Sequence, residues 1–182
     1  MRLIKRKKVT FLLSGGGSNL FKILKKNLTS KKFITLSIIS DNQVSKQIKE
    51  LLKLNDLDIK IYEKVSILKP KFIGNCDVIF SVGYLKKIES EIIKNYKIIN
   101  IHPSLLPKFK GLNTFKRILK NKEKKTGCTV HFVNEKLDGG AKIIQKSFFI
   151  NKNDNEETLK NKTQKLEHRA FSEAIVKIFR YN

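Results

Sequence analysis

An α/β fold, with a doubly wound and mostly parallel sheet, helices on both faces and a long C-terminal helix, is predicted by three features of the chain. Short, nearly continuous apolar runs recur through its N-terminal half, the pattern of strands buried on both faces of a parallel sheet. Segments with apolar residues at helical spacing alternate with those runs, which builds strand–helix–strand units with right-handed crossovers. One long apolar stripe at the same spacing closes the chain.

Residues 9–13, Val-Thr-Phe-Leu-Leu, read as the first strand. Residues 14–19, Ser-Gly-Gly-Gly-Ser-Asn, form a loop, and the apolar spacing from Leu20 to Leu24 opens a helix. Residues 33–40 make the second strand, and Val44, Ile48, Leu51 and Leu52 give residues 44–54 a helical period. Residues 58–62 and 78–82 are the third and fourth strands, 88–95 a helix and 98–101 the fifth strand. The pattern then changes, and residues 128–133 and 142–150 are two strands with a loop between them. Asp154 is expected to cap the last helix, with Glu157 three residues on. Leu159, Thr163, Leu166, Ala170, Ala174 and Ile178 mark its apolar face. No repeat or linker interrupts the pattern, so a single domain over residues 1–182 is expected.

Composition narrows the function. Cys76 and Cys128 are too few for a disulfide scaffold or a four-cysteine zinc site, and both suit buried apolar positions of a protein kept reduced. The start, Met-Arg-Leu-Ile-Lys-Arg-Lys-Lys, has the basic character of a signal peptide, but the apolar run that follows is short and holds Thr10. No run approaches membrane-spanning length, and a soluble, cytoplasmic protein is expected. The 39 basic and 16 acidic residues give a formal charge of +23, which raises the question of nucleic acid. Five of the basic residues are Arg (Arg2, Arg6, Arg117, Arg169, Arg180), the rest are Lys, and they are spread along the whole chain. Sites that read bases or grip phosphates favour clustered Arg, so nucleic acid is not the expected partner. The basic field can still speed the arrival of a small anionic substrate.

Two segments carry chemistry. The loop of residues 14–19 lies between a strand and a helix, where glycines and a helix N-terminus suit phosphate. A plain turn capped by Ser or Asn fits it equally well, because the loop is neither a P-loop nor the spaced dinucleotide fingerprint. Asn100 and His102 stand two apart at a strand end and so share a face, beyond which ligands bind in open α/β sheets. Pro103 restricts His102 to extended geometry. Taken alone, Asn-x-His is more often local hydrogen bonding than catalysis. His131, in a predicted strand, either points to the same place or packs, and His168 fits a surface pair with Glu167 or a support for substrate.

The run Asn100-Ile-His-Pro-Ser-Leu-Leu-Pro-Lys-Phe-Lys-Gly111 resembles the signature of the folate-dependent formyltransferases. Gly127-Cys-Thr-Val-His-Phe-Val133 and Leu137-Asp138-Gly139-Gly140 continue the resemblance, which covers almost the whole chain. It implies the Rossmann-like formyltransferase fold and a catalytic set of Asn100, His102 and Asp138. Within the family the motifs are nearest to the branch that formylates glycinamide ribonucleotide (GAR) with 10-formyltetrahydrofolate in purine synthesis. Gly17, Ser18 and Asn19 then match the loop that binds the GAR phosphate, and Gln164, Lys165, Leu166 and Glu167 match a helix segment that contacts GAR. Leu85, Lys86, Lys87 and Ile88, with Asn100 and with Asn134, Glu135, Lys136, Leu137 and Asp138, match the folate-binding segments. No metal is implied, and the enzyme is expected as a monomer or homodimer. In this scheme the Asn100 amide and a protonated His102 donate to the oxyanion of a tetrahedral intermediate, while Asp138 favours the imidazolium and orients a proton-relaying water.

The chain departs from the family pattern in three places. Lys86 stands where Arg is common, and an ammonium lacks the planar fork of a guanidinium. Asn113 and Phe115 occupy a region that often carries His. The stretch from Tyr62 to Cys76 is short, as though a helix or an Arg for the folate tail were missing. The alternatives are a sugar-nucleotide N-formyltransferase with the same core, or a non-catalytic remnant that binds nucleic acid. The intact Asn100, His102 and Asp138 argue against the second, and the Gly-Gly-Gly-Ser-Asn and Lys-Phe-Lys-Gly-Leu runs favour GAR.

Overall fold

The computed structural model describes residues 6–180. The basic start at residues 1–5, weighed above against a signal peptide, lies outside the described residues. Two compact units divide the chain, Met1–Ile99 and Asn100–Asn182.

The first unit runs β1 (Lys7–Leu13), α1 (Ser18–Ser30), β2 (Phe33–Ser40), α2 (Lys46–Leu54), β3 (Lys60–Tyr62), α3 (Pro70–Ile73), β4 (Val78–Ser81) and α4 (Ser90–Asn95). Its strands are ordered β3-β2-β1-β4 and pair in parallel. Val9, Phe11, Leu12 and Leu13 of β1 are all fully buried, as expected of a strand covered on both faces. Phe11, Phe33 and Phe80 meet with ring centroids 5.6 to 6.4 Å apart, which knits β1, β2 and β4 together. Helix α1 buries Leu20, Ile23 and Leu24, and α2 buries Ile48 and Leu52, each set at helical spacing. Between α1 and β2 the Asn27 side chain turns the chain, its amide bonded to both Lys32 and Phe33 backbone.

Sequence periodicity gave no sign of α3, which is a single turn with Pro70 at its start. Its place is fixed by two hydroxyls from the sheet. Thr10 Oγ1 donates to the Ile73 carbonyl (2.8 Å), and Ser37 Oγ donates to the Phe72 carbonyl (3.0 Å). The polar residue that interrupts the apolar run of β1 therefore satisfies the end of a helix.

The second unit holds most of β5 (Ile98–His102), then α5 (Thr114–Lys120), β6 (Lys125–Phe132), β7 (Lys142–Phe149) and α6 (Glu156–Arg180). Its strand order is β5-β6-β7, and β6 and β7 are antiparallel. Strand β6 begins three residues before the apolar run suggests, because Lys125, Thr126 and Gly127 pair with Phe149, Phe148 and Ser147. Gly127 has to lack a side chain, since a Cβ would sit 1.9 Å from the Lys146 carbonyl oxygen.

The cap of α6 corrects the expectation. Asn155 takes that place and not Asp154: its Oδ1 accepts from the Thr158 N–H, and its own N–H donates to Thr158 Oγ1, both at 2.9 Å. This is a capping box with Thr in the usual Glu position. Asp154 instead holds Lys162 Nζ at 2.7 Å. The apolar face of α6 packs on β6 and β7 through Leu159, Ala170, Phe171, Ala174, Ile175 and Ile178, whereas Leu166 is half-buried.

Thr10→Val keeps the volume of the side chain but leaves the Ile73 carbonyl without its donor. A loss of about 1–3 kcal/mol is expected, read as a lower urea midpoint at unchanged m-value.

Candidate active site

Strand β5 directs Asn100 and His102 to one face, while Ile99 and Ile101 are buried on the other. His102 is itself buried. Its Nε2–H donates to the Phe109 carbonyl at 2.8 Å, and its Nδ1 lies 3.2 Å from Asp138 Oδ2. Asp138 follows β6 in the loop before Gly139 and Gly140, at φ 44. Its Oδ2 also accepts the Gly111 N–H at 2.8 Å. The left-handed backbone turns the carboxylate back toward β5.

His131 settles the choice left open by its strand position: it joins this cluster. Its Nδ1–H donates to the Phe132 carbonyl at 2.8 Å. A carbonyl oxygen only accepts, so in the neutral ring Nε2 is the acceptor. That Nε2 faces Asn100 Nδ2 at 3.4 Å and Asp138 Oδ1 at 3.6 Å. The signal was present in β6, where apolar Cys128 and Val130 alternate with Thr129 and His131. Thr129 Oγ1 donates to the Ser104 carbonyl and accepts the Leu106 N–H, so the polar face of β6 is the one turned to the segment after β5.

Charge sets the resting state. Burial pushes the His102 pKa below its ordinary value; the Asp138 carboxylate and the Phe109 carbonyl oppose that, and the nearby His131 and Arg117 add to it. Burial also works against the Asp138 carboxylate, but the neighbouring His131 ring, the Gly111 N–H and the neighbouring His102 ring outweigh it and hold the group below the usual range. This corrects the expectation of a protonated His102 that donates to an oxyanion: burial favours the neutral ring, the Phe109 carbonyl holds its Nε2 proton, and its Nδ1 lone pair is turned toward Asp138. The Nδ1–Oδ2 line is then one proton short, and a proton placed there makes a charge-assisted bond.

The other predicted residues divide between the units. In the first, Ser14 ties three loops together: its N–H donates to the Gly83 carbonyl, its carbonyl accepts Asn42 Nδ2, and its Oγ accepts the Leu85 N–H. Gly17, at φ 73, is the residue before α1, so Ser18 and Asn19 lie in the first helical turn and neither is the cap. A Cβ at Gly17 would meet Ile48 Cδ1 at 2.6 Å. Leu85, Lys86 and Lys87 are exposed and Ile88 is buried. In the second unit Asn134, Glu135, Lys136 and Leu137 are exposed. On α6, Lys165 is exposed, and Gln164, Leu166, Glu167 and His168 are half-buried.

Burial raises the thiol pKa of Cys76 and pushes that of Cys128 up to about 12, which makes both poor nucleophiles. Among the described residues no cluster of His, Cys, Asp and Glu could hold a metal ion, and no helix is long and apolar enough to cross a membrane.

Residues 7–175 match the family model described as formyl transferase. The trifunctional purine biosynthetic protein adenosine-3 of Gallus gallus is 32% identical over 92% of this chain, which spans 18% of that relative's length. The phosphoribosylglycinamide formyltransferase of Haemophilus influenzae is 40% identical over 52% of this chain and 46% of its own. A crystal structure of the phosphoribosylglycinamide formyltransferase from Anaplasma phagocytophilum superposes with a TM-score of 0.83 at 28% identity, covering 97% of this chain and 88% of that one.

The lowered His102 pKa has a signed consequence. The unfolded chain takes up a proton at the ordinary value, near 6.5, before the folded protein does. Stability is therefore lost as pH falls from that value toward the folded one. His102→Gln is expected to lose less stability than the parent between about pH 7.5 and 5.5, measured by urea melts at both pH values.

Proposed function

The chain belongs to the formyl transferase family, and from that premise we propose that it moves the formyl group of 10-formyltetrahydrofolate to the primary amine of GAR in purine synthesis. The observation that carries this reading is the cluster of one amide, two imidazoles and one carboxylate, from β5, β6 and the loop after β6, joined by contacts of 3.2 to 3.6 Å. In this reading the two units act as a single formyltransferase domain in the cytoplasm, as a monomer or homodimer.

The amine nitrogen attacks the formyl carbon. A C–N bond forms and the carbonyl electron pair moves onto oxygen. One Asn100 N–H is directed to His131, and the second donates to that oxyanion. The amine's proton passes by way of water to the His102–Asp138 pair, which has room for one proton between Nδ1 and Oδ2. The pair returns a proton to the folate nitrogen as its bond to the formyl carbon breaks. Formyl-GAR and tetrahydrofolate are released. No covalent enzyme intermediate is needed.

We assign Gly17, Ser18 and Asn19 to the GAR phosphate, where the start of α1 favours an anion, and Gln164, Lys165, Leu166 and Glu167 to the remainder of GAR. The folate is assigned to Leu85, Lys86, Lys87 and Ile88 and to the segment from Asn134 to Asp138. Each segment sets an exposed leucine, Leu85 or Leu137, next in sequence to exposed lysine, Lys86 and Lys87 or Lys136, a composition that suits an apolar ring with an anionic tail. Lys86 offers that tail a point charge and not a fork.

Formyl transfer to GAR by the purified protein, followed through tetrahydrofolate formation, tests the reading. Asn100→Ala is expected to lower kcat about 10²–10³-fold, as for loss of one oxyanion donor. Asp138→Asn should lower kcat more than it lowers the melting temperature. Turnover with an amino-sugar nucleotide, and none with GAR, would overturn the substrate. If the basic field steers GAR, kcat/KM falls as salt rises while kcat holds.

A further inference from the structure

Arg117, on α5, is one of five arginines in the chain and has no part in the reaction as drawn above. Its guanidinium Nη2 donates to the Lys110 carbonyl. Its Cζ lies 5.9 Å from the centre of the Phe109 ring, within cation–π range. Its Nε is buried and has no hydrogen-bond partner among the described residues. An arginine placed for surface charge alone would not bear a desolvated N–H.

The segment it grips is the turn that serves both His102 and Asp138. Phe109 and Gly111 each have positive φ (57 and 76), and Asn113 follows at 56. A large aromatic residue in that region is strained and persists only where its surroundings hold it. Every polar group from the Phe109 carbonyl to the Gly111 carbonyl for which a bond is seen has a specific partner. The Phe109 carbonyl meets His102 Nε2, the Lys110 carbonyl meets Arg117, the Gly111 N–H meets Asp138 Oδ2, and the Gly111 carbonyl meets Thr114 Oγ1. Arg117 therefore holds the oxygen of the very peptide whose N–H serves Asp138, one residue on from the carbonyl that serves His102.

We infer that Arg117 is a positioning residue: by clamping the Phe109–Gly111 turn it holds the Phe109 carbonyl on His102 Nε2 and the Gly111 N–H on Asp138. It does not touch substrate in this account. The inference rests on the formyl-transfer reading for its kinetic part only. The charged and titratable groups around His102 are Asp138 from the loop after β6, His131 from β6 and Arg117 itself from α5.

The test pairs a kinetic readout with one that needs no substrate. In Arg117→Met, kcat for formyl-GAR formation is expected to fall roughly 10- to 100-fold, the scale of a small misplacement of reacting groups, with the KM for GAR changed less than about twofold. In the free protein the His102 Nε2–H should give a slowly exchanging ¹⁵N-coupled imidazole resonance that is lost in the same variant. Arg117→Lys, which can reach the Lys110 carbonyl but cannot lie flat over Phe109, should recover part of both. If Arg117→Met fails to fold, Arg117→Gln supports the same two measurements. An unchanged Nε2–H resonance overturns the clamp, whatever happens to turnover. A lost resonance with parent-like kcat overturns its role in the reaction. A parent protein inactive toward GAR, with the resonance still dependent on Arg117, would sink the formyl-transfer reading and leave the clamp standing.

Discussion

One carboxylate organises the second unit. Asp138 sits at a left-handed backbone position and takes the Gly111 N–H, His102 and His131 on its two oxygens. Those partners come from three separate stretches of chain, so the anion is a junction as well as a charge. Half-buried anions are costly unless they are met by several donors. Here a backbone amide donates to it, and two rings that are themselves anchored on backbone carbonyls, those of Phe109 and Phe132, face it with nitrogens able to take up a proton. The whole cluster is thus referred to the main chain, which moves less than any side chain.

Glycines let that arrangement close. Gly140 could not carry a Cβ, which would lie 1.8 Å from the Phe132 carbonyl oxygen, the same oxygen that accepts from His131. Gly111, at φ 76, presents its N–H to Asp138, and a Cβ there would come within 3.4 Å of Leu137 Cδ2. In the first unit a different device does comparable work. There a serine hydroxyl and backbone, at Ser14, gather the loops that follow β1, β2 and β4.

Much of this was legible in the sequence. Apolar runs located every strand, most sharply β1 and β4, whose burial on both faces leaves a continuous apolar imprint, and the family resemblance picked out Asn100, His102 and Asp138. The ends of elements were less legible. Strand β6 begins in polar residues that only pairing with β7 makes regular, and the cap of α6 went to Asn155 because Thr158, not Glu157, answers it. The helix α3 is too short to show a period, and its anchors Thr10 and Ser37 lie in distant strands. His131 was readable as one of two alternatives; its side followed from the alternation of β6, which fixes direction but not partner. Arg117 carried no signal at all, because its importance lies in a carbonyl it reaches across a turn.

The loop from residue 134 to residue 140 has two halves of opposite character. Asn134, Glu135 and Lys136 are exposed and held by a local bond between the Asn134 side chain and the Lys136 N–H, whereas Asp138 and Gly140 are pinned to Gly111 and Phe132. On the proposed assignment of this loop to the folate, its outer half is the natural grafting point for a redesign of ligand preference, provided the inner half is left untouched.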